Sequence, residues 1–269
     1  MTAVASAPTT RAHAHASTAH RLSFTHLMKS ESIKMLTLRS TWWSLGVTAA
    51  LSVGISLLIA AASSDIGGGF PAANVILAPT QFTMLVAGIL GAIVITGEYS
   101  TGMIRSTLTA EPRRGAVLVA KALVVALVMA VTTVVIYAVA IAVTAPLVST
   151  GLDWSTPSES LVPLALGVVS MAAFTLIGLG FGFVIRSGAG AIAATVGVLF
   201  VLPIVFSLFS FAGPSWQWIL DAADYLPVNA AVQLTTPGGT EIGQGALTLA
   251  AWALAPLVLG WIALRSRDV

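Results

Sequence analysis

The sequence predicts an all-α polytopic membrane protein with six transmembrane helices, and three observations carry that prediction. The 269 residues are 57% hydrophobic and only 8% charged, where a soluble domain carries about 25% charge and needs it to cover its surface. The apolar residues come in continuous runs of about 20 or more, the length that crosses a bilayer as a helix. They lack the polar–apolar alternation of barrel strands. Lys and Arg, finally, fall entirely on one side of the alternating connections.

The spans read as about 41–62, 80–97, 116–145, 161–185, 191–211 and 245–264, with Pro203 a kink in the fifth. Trp42 and Trp43 sit where the first span meets the interface, which suits amphipathic rings. Ser63 to Pro79 holds Gly67, Gly68, Gly69 and Pro71 and reads as a turn-rich connection. Pro146 to Ser160 reads as a polar loop, and Arg186 to Gly190 as a tight turn. Residues 213–244 are too broken by Pro227, Pro237, Gly238 and Gly239 for a span and too apolar for a free loop. They predict short broken helices on the outer side before the last span, with Trp216 and Trp218 at the interface.

With the N-terminus inside, the inner segments and span ends hold every basic residue: Arg11, Arg21, Lys29, Lys34, Arg39, Arg105, Arg113, Arg114, Lys121, Arg186, Arg265 and Arg267. The outer loops hold Asp65, Asp153, Glu159, Asp221, Asp224 and Glu241 and no Lys or Arg. The bias predicts that both termini face the cytoplasm.

Three regions follow from the pattern. Residues 1–20, rich in Ala, Ser, Thr and His, predict a disordered tail; His13, His15 and His20 in such a tail read as incidental rather than as metal ligands. Residues 21–40 predict an amphipathic interfacial helix, with Phe24, Leu27, Met28, Met35 and Leu38 on one face, interrupted by Glu31. Lys29, Lys34 and Arg39 on the other sides would meet anionic lipid; the alternative is a plain lead-in to the first span. Residues 41–267 form the membrane domain.

The spans offer almost no chemistry. No acidic or basic residue lies at the middle of one, which argues against a buried carboxylate relay and against an intramembrane enzyme. Glu98 and Lys121 lie near inner span ends, where Lys can snorkel. No metal-ligand spacing, catalytic grouping or P-loop occurs, and no charge block suits nucleic acid. Gly178, Gly180 and Gly182 in the fourth span, with Gly88 and Gly91 in the second, form small faces that fit packing inside the bundle or a dimer seam.

The informative stretch is Glu98 to Arg114, EYSTGMIRSTLTAEPRR, held between two uncharged apolar runs. Met103, Ile104, Thr107 and Leu108 fall on one side of a short helix that Pro112 ends. Flanked by Arg105, Arg113 and Arg114, they read as an exposed apolar strip for a partner's groove, or as a loop that only obeys the charge rule.

This stretch resembles the ABC-2 type permeases. The span ending in Glu98-Tyr99, the run Ser-Thr-Gly-Met-Ile-Arg-Ser-Thr-Leu, and Pro112-Arg113-Arg114 opening the next span carry the likeness. More narrowly it is similar to short bacterial, often actinobacterial, members related to antibiotic and lantibiotic-immunity exporters. Tyr225-Leu226-Pro227-Val228-Asn229-Ala230 resembles a phrase often seen there. The resemblance implies a subunit of the bacterial cytoplasmic membrane that binds no cofactor itself and is not itself an enzyme. It implies a dimer with a second permease copy or paralogue, and two separate ABC ATPase subunits that hold ATP and Mg. It also makes residues 98–114 a coupling helix, with Glu98, Tyr99, Met103, Ile104, Arg105, Leu108, Arg113 and Arg114 the docking residues. Glu98 would pair with a nearby basic residue and fix the helix angle. The cargo expected of such spans is amphiphilic or lipophilic, and it would be exported. The rival outcomes are extraction of a lipid or peptide from the bilayer, signalling without translocation, or a membrane enzyme.

Overall fold

The computed structural model describes residues 23–65, 70–148 and 151–266; the His-containing tail lies outside them. Helix α1 spans Phe24–Thr37 and is followed by α2, Arg39–Asp65. A short α3, Ala72–Leu77, leads into α4, Thr80–Ser100, and the eight-residue α5 covers Met103–Ala110. Then come α6, Arg114–Thr144, and α7, Leu161–Ile185. A fifth crossing is assembled from α8, Gly188–Val196, a π-helical turn at Gly197–Val201, and α9, Leu202–Leu208. Two short helices, α10, Gln217–Ala223, and α11, Pro227–Thr235, precede α12, Ile242–Ser266. Six helical stretches are long and apolar enough to cross a membrane: 39–63, 72–100, 114–144, 161–185, 188–211 and 242–266. The protein is thus the predicted all-α, six-span membrane protein, with no strand among the described residues.

Helix α7 is the centre, packed by α4, α6, α11 and α12. Glycine lets it take that place, because small residues allow two helix backbones to approach. A methyl group on Gly178 would lie 1.8 Å from the Gly88 carbonyl oxygen, and one on Gly91 would lie 1.9 Å from that of Thr175. On another side Gly180 faces Pro256 of α12 at 2.5 Å from the same hypothetical methyl. The glycine faces are therefore spent inside the bundle and not left for a dimer seam. The span that contains α7 is 61% buried, while the fifth is 11% buried.

One connection differs from expectation. The turn-rich reading of Ser63 to Pro79 misses α3, whose Ala72, Ala73, Val75, Ile76 and Leu77 are all buried. Ser56 of α2 donates its hydroxyl to the Val75 carbonyl at 3.0 Å, so α3 is docked on the first span. In the fifth span a π turn begins at Gly197 and ends just ahead of Pro203, which sits in the first turn of α9; proline lacks the N–H that would continue the regular ladder. In the broken region, Pro227 opens α11 and the Asn229 amide donates to the Ala223 carbonyl at 2.8 Å, tying the end of α10 to it. That bond gives the Tyr225–Ala230 phrase a structural reason.

Candidate functional site

The helices bring the described Lys and Arg side chains to one end of the bundle, and there the sequence reading needs most revision. Lys121 of α6 is 2% exposed. It does not snorkel outward. Its ammonium donates to Glu98 of α4 at 2.7 Å and to Glu31 of α1. Lys34 completes the cluster, donating to Glu31 at 2.8 Å and to Glu98 at 3.3 Å. Two carboxylates and two ammonium groups make the cluster neutral overall, the condition under which charge tolerates burial.

Glu31 thus becomes the residue that fixes α1, not an interruption of its apolar face. Glu31 and Met35 are the buried residues of α1, while Phe24, Ile33, Leu36 and Leu38 are exposed and Leu27 and Met28 half-buried. The face turned to the bundle runs through the ion pairs, displaced from the face drawn by hydrophobicity. Burial works against the Glu31 charge, but the adjoining Lys121 charge and its hydrogen bond, helped by Lys34, hold the carboxyl below its ordinary range. Burial likewise opposes the Lys34 charge, and the bonds to Glu31 and Glu98 lift it above the usual lysine range.

The cluster reaches α5. Lys34 also donates to the Thr107 hydroxyl at 3.0 Å, so one ammonium touches α1, α4 and α5. Helix α5 begins after Gly102, which has φ 71°, a left-handed conformation that favours glycine. It ends where Glu111 turns extended before Pro112, the conformation that a following proline favours. Arg113 closes that corner on the Glu111 carboxylate, with Nε at 2.7 Å and Nη2 at 3.0 Å. This pairing holds the Glu111 carboxyl below its usual range.

The residues singled out for docking therefore sort by environment. Met103 is 43% exposed and Arg105 is exposed. Ile104 is 1% exposed and packs with Leu118, Leu179 and Phe183, so the apolar strip does not stand free as drawn. The helical period gives a face but not which way it turns. Leu108 is half-buried against the same group. Glu98 is inside the ion cluster, and Tyr99 lies under the Arg186 guanidinium, 5.3 Å from the ring centre. Arg114 donates to the Leu264 and Arg265 carbonyls at the end of α12, and Arg186 to the Ala263 carbonyl at 2.9 Å. Arg105 alone among the basic residues of Glu98–Arg114 makes no side-chain bond to another described residue. Of the residues named for the interface, Trp42, Trp43, Trp216, Trp218 and Phe24 are exposed, at 59%, 76%, 43%, 63% and 40%, while Leu27 and Met28 are half-buried.

A six-span helical bundle with a short interspan helix clamped at its basic end is a multi-pass membrane protein built around that clamp. A family model described as ABC-2 family transporter protein matches residues 12–269. The chain belongs to this family and is a membrane permease component. No curated protein matches it.

Proposed function

We propose that this chain is the permease subunit of an ATP-driven exporter in the bacterial cytoplasmic membrane, with both termini and the basic end inside. It works as a pair, with a second copy or a paralogue, on two separate ATPase subunits that bind ATP and Mg. The ATPases dock on α5, and closing them shifts α5 and, through it, α4 and α6. The cargo is amphiphilic or lipophilic.

The observation that carries the reading is the split within α5. One side, through Ile104 and Leu108, belongs to the bundle, while Met103 and Arg105, which makes no side-chain bond among the described residues, stay at the surface. An exposed arginine beside an apolar side chain is a recognition pair that suits a carboxylate-edged groove. Docking by Met103 and Arg105, with Leu108 at the margin, follows. Glu98, Ile104, Arg113 and Arg114 then hold the helix in place, which revises the docking set read from the sequence.

The test is recovery of an ATP-hydrolysing, P-loop subunit with the tagged chain from native membranes in mild detergent. Arg105→Glu is expected to release that subunit while the permease keeps its elution volume and melting temperature. Normal recovery with Arg105→Glu and with Met103→Ala would remove α5 from the contact.

A further inference from the structure

The end of the bundle opposite the basic clamp contains a cavity of about 750 Å3, within the range of pockets that enclose a small organic ligand. Its walls come from α3, the start of α4, and α11; its mouth is edged by the 151–160 connection. The floor rests on the buried Met84 and Phe174, and the apolar surface open to a ligand is Val232 with Pro71 and Ala78. Above the floor, Asn74 and Gln81 present exposed amides that make no bond within the described residues.

The mouth has one sign of charge. Asp153 and Glu159 line it, and the connections at this end, residues 64–79, 145–160 and 212–241, contain no Lys or Arg. Glu159 has no ion pair or carboxylate hydrogen bond among the described residues. Asp153 accepts the Ser155 N–H at 2.9 Å, and hydrogen bonds from Ser155 and Thr156 hold its carboxyl below the usual range. The rim is built rather than loose: the Gly238 N–H donates to the Ser158 carbonyl at 3.1 Å, joining the 151–160 connection to the segment after α11.

We infer that this cavity binds a cationic amphiphile, its apolar body on Val232, Pro71 and Ala78 and its positive group at the mouth with Asp153 and Glu159. An anion of the same size meets the carboxylates with no compensating cation. That the ligand is cargo rests on the transport reading above; that it binds does not. The same cationic chemistry occurs in a free amphiphile and in an amine-bearing lipid headgroup, and the phosphate of the latter would face the same carboxylates.

The test uses the purified full chain in neutral maltoside micelles, with tetraphenylphosphonium and tetraphenylborate as probes of matched size and opposite charge. Saturable binding is expected for the phosphonium and not for the borate. Asp153→Asn with Glu159→Gln should weaken it about tenfold, the effect of losing two exposed charge contacts. Thr236→Lys, an exposed lining position, should weaken it comparably without disturbing the core. Equal binding of both probes, or indifference to both sets of substitutions, overturns the site. Competition by added phosphatidylethanolamine places a lipid headgroup there and overturns the free-amphiphile assignment. Because the readout needs no ATPase, loss of this site with an ATPase still recovered leaves the transport reading standing. Phosphonium binding with no ATPase recovered removes the transport reading and keeps the site.

Discussion

The two ends of the bundle are built on different principles. At the basic end, Lys34 and Lys121 close a buried ion cluster, Arg113 grips Glu111, and Arg114 and Arg186 cap the last turn of α12. Arg265 covers the Trp261 ring at 4.3 Å. Only Lys29, Arg39 and Arg105 are left with no side-chain bond among the described residues. At the opposite end no ion pair occurs among the described residues: Asp153, Glu159, Asp221, Asp224 and Glu241 are exposed, short helices joined by backbone hydrogen bonds stand in for loops, and a cavity opens between them. The contrast teaches that a Lys/Arg bias can do two jobs. It marks a side of the membrane, and here most of the same residues also close that end mechanically.

The sharpest way to break the comparison is to separate the two ends from each other. Gly178→Leu would drive a side chain into the Gly88 carbonyl; the expected outcome is loss of folded protein, read as disappearance of the monodisperse peak in detergent. Next in size is Lys121→Met. It leaves Glu31 and Glu98 buried without their main partner, at a cost of about 3–5 kcal/mol for a broken buried pair. Thermal unfolding should show the loss, and adding Glu31→Gln should restore part of it. If Lys121→Met melts like the parent, the basic end is not held by its ions.

Acidity probes the same clamp more gently. The Glu31 carboxyl lies below its ordinary value of 4.5 in the folded protein. Its contribution is therefore fully present above that value and is lost as pH falls through the folded one. Hydrogen-exchange protection of α1, taken relative to the intrinsic rate at each pH, should be flat from neutral pH to about 5 and fall below the ordinary carboxylate range, and Glu31→Gln should flatten that fall. The smallest effect belongs to the opposite end. Asp221→Asn removes an exposed charge whose described contact is the Gln217 amide at 3.2 Å. The melting curve should move by less than about 0.5 kcal/mol, and a large shift would mean the acidic end is tied as tightly as the basic one.

Much of the fold was legible because hydropathy and length are one-dimensional properties. The six crossings, and the broken helices between 213 and 244, follow from where apolar runs start and stop. Helix α3 escaped because Gly67 to Pro71 drew attention to the turn and away from the six residues after it. The ion cluster escaped for a different reason. The sequence predicts a basic partner for Glu98 without saying which, and hydropathy alone makes Glu31 a flaw in a stripe and Lys121 a snorkelling side chain. A signal was present: Glu98 and Lys121 have opposite charge and lie at similar depth in consecutive spans. The glycine pattern marked a close approach correctly, but whether the partner lies within the chain depends on tertiary packing. In the candidate site, the segment was legible and its inward side was not, which is why Ile104 was grouped with Met103.

The joint at Gly102 sets how displacement is shared. Helix α5 hangs like a yoke between two stiff shafts, α4 and α6, pivoting at one left-handed residue on one side and at the Glu111–Pro112 corner on the other. The strut from Lys34 to Thr107 ties α5 to α1 across that axle. If a partner docks on its outer face as proposed, the push would reach both shafts together, and α1, tied through Lys34, would travel with them.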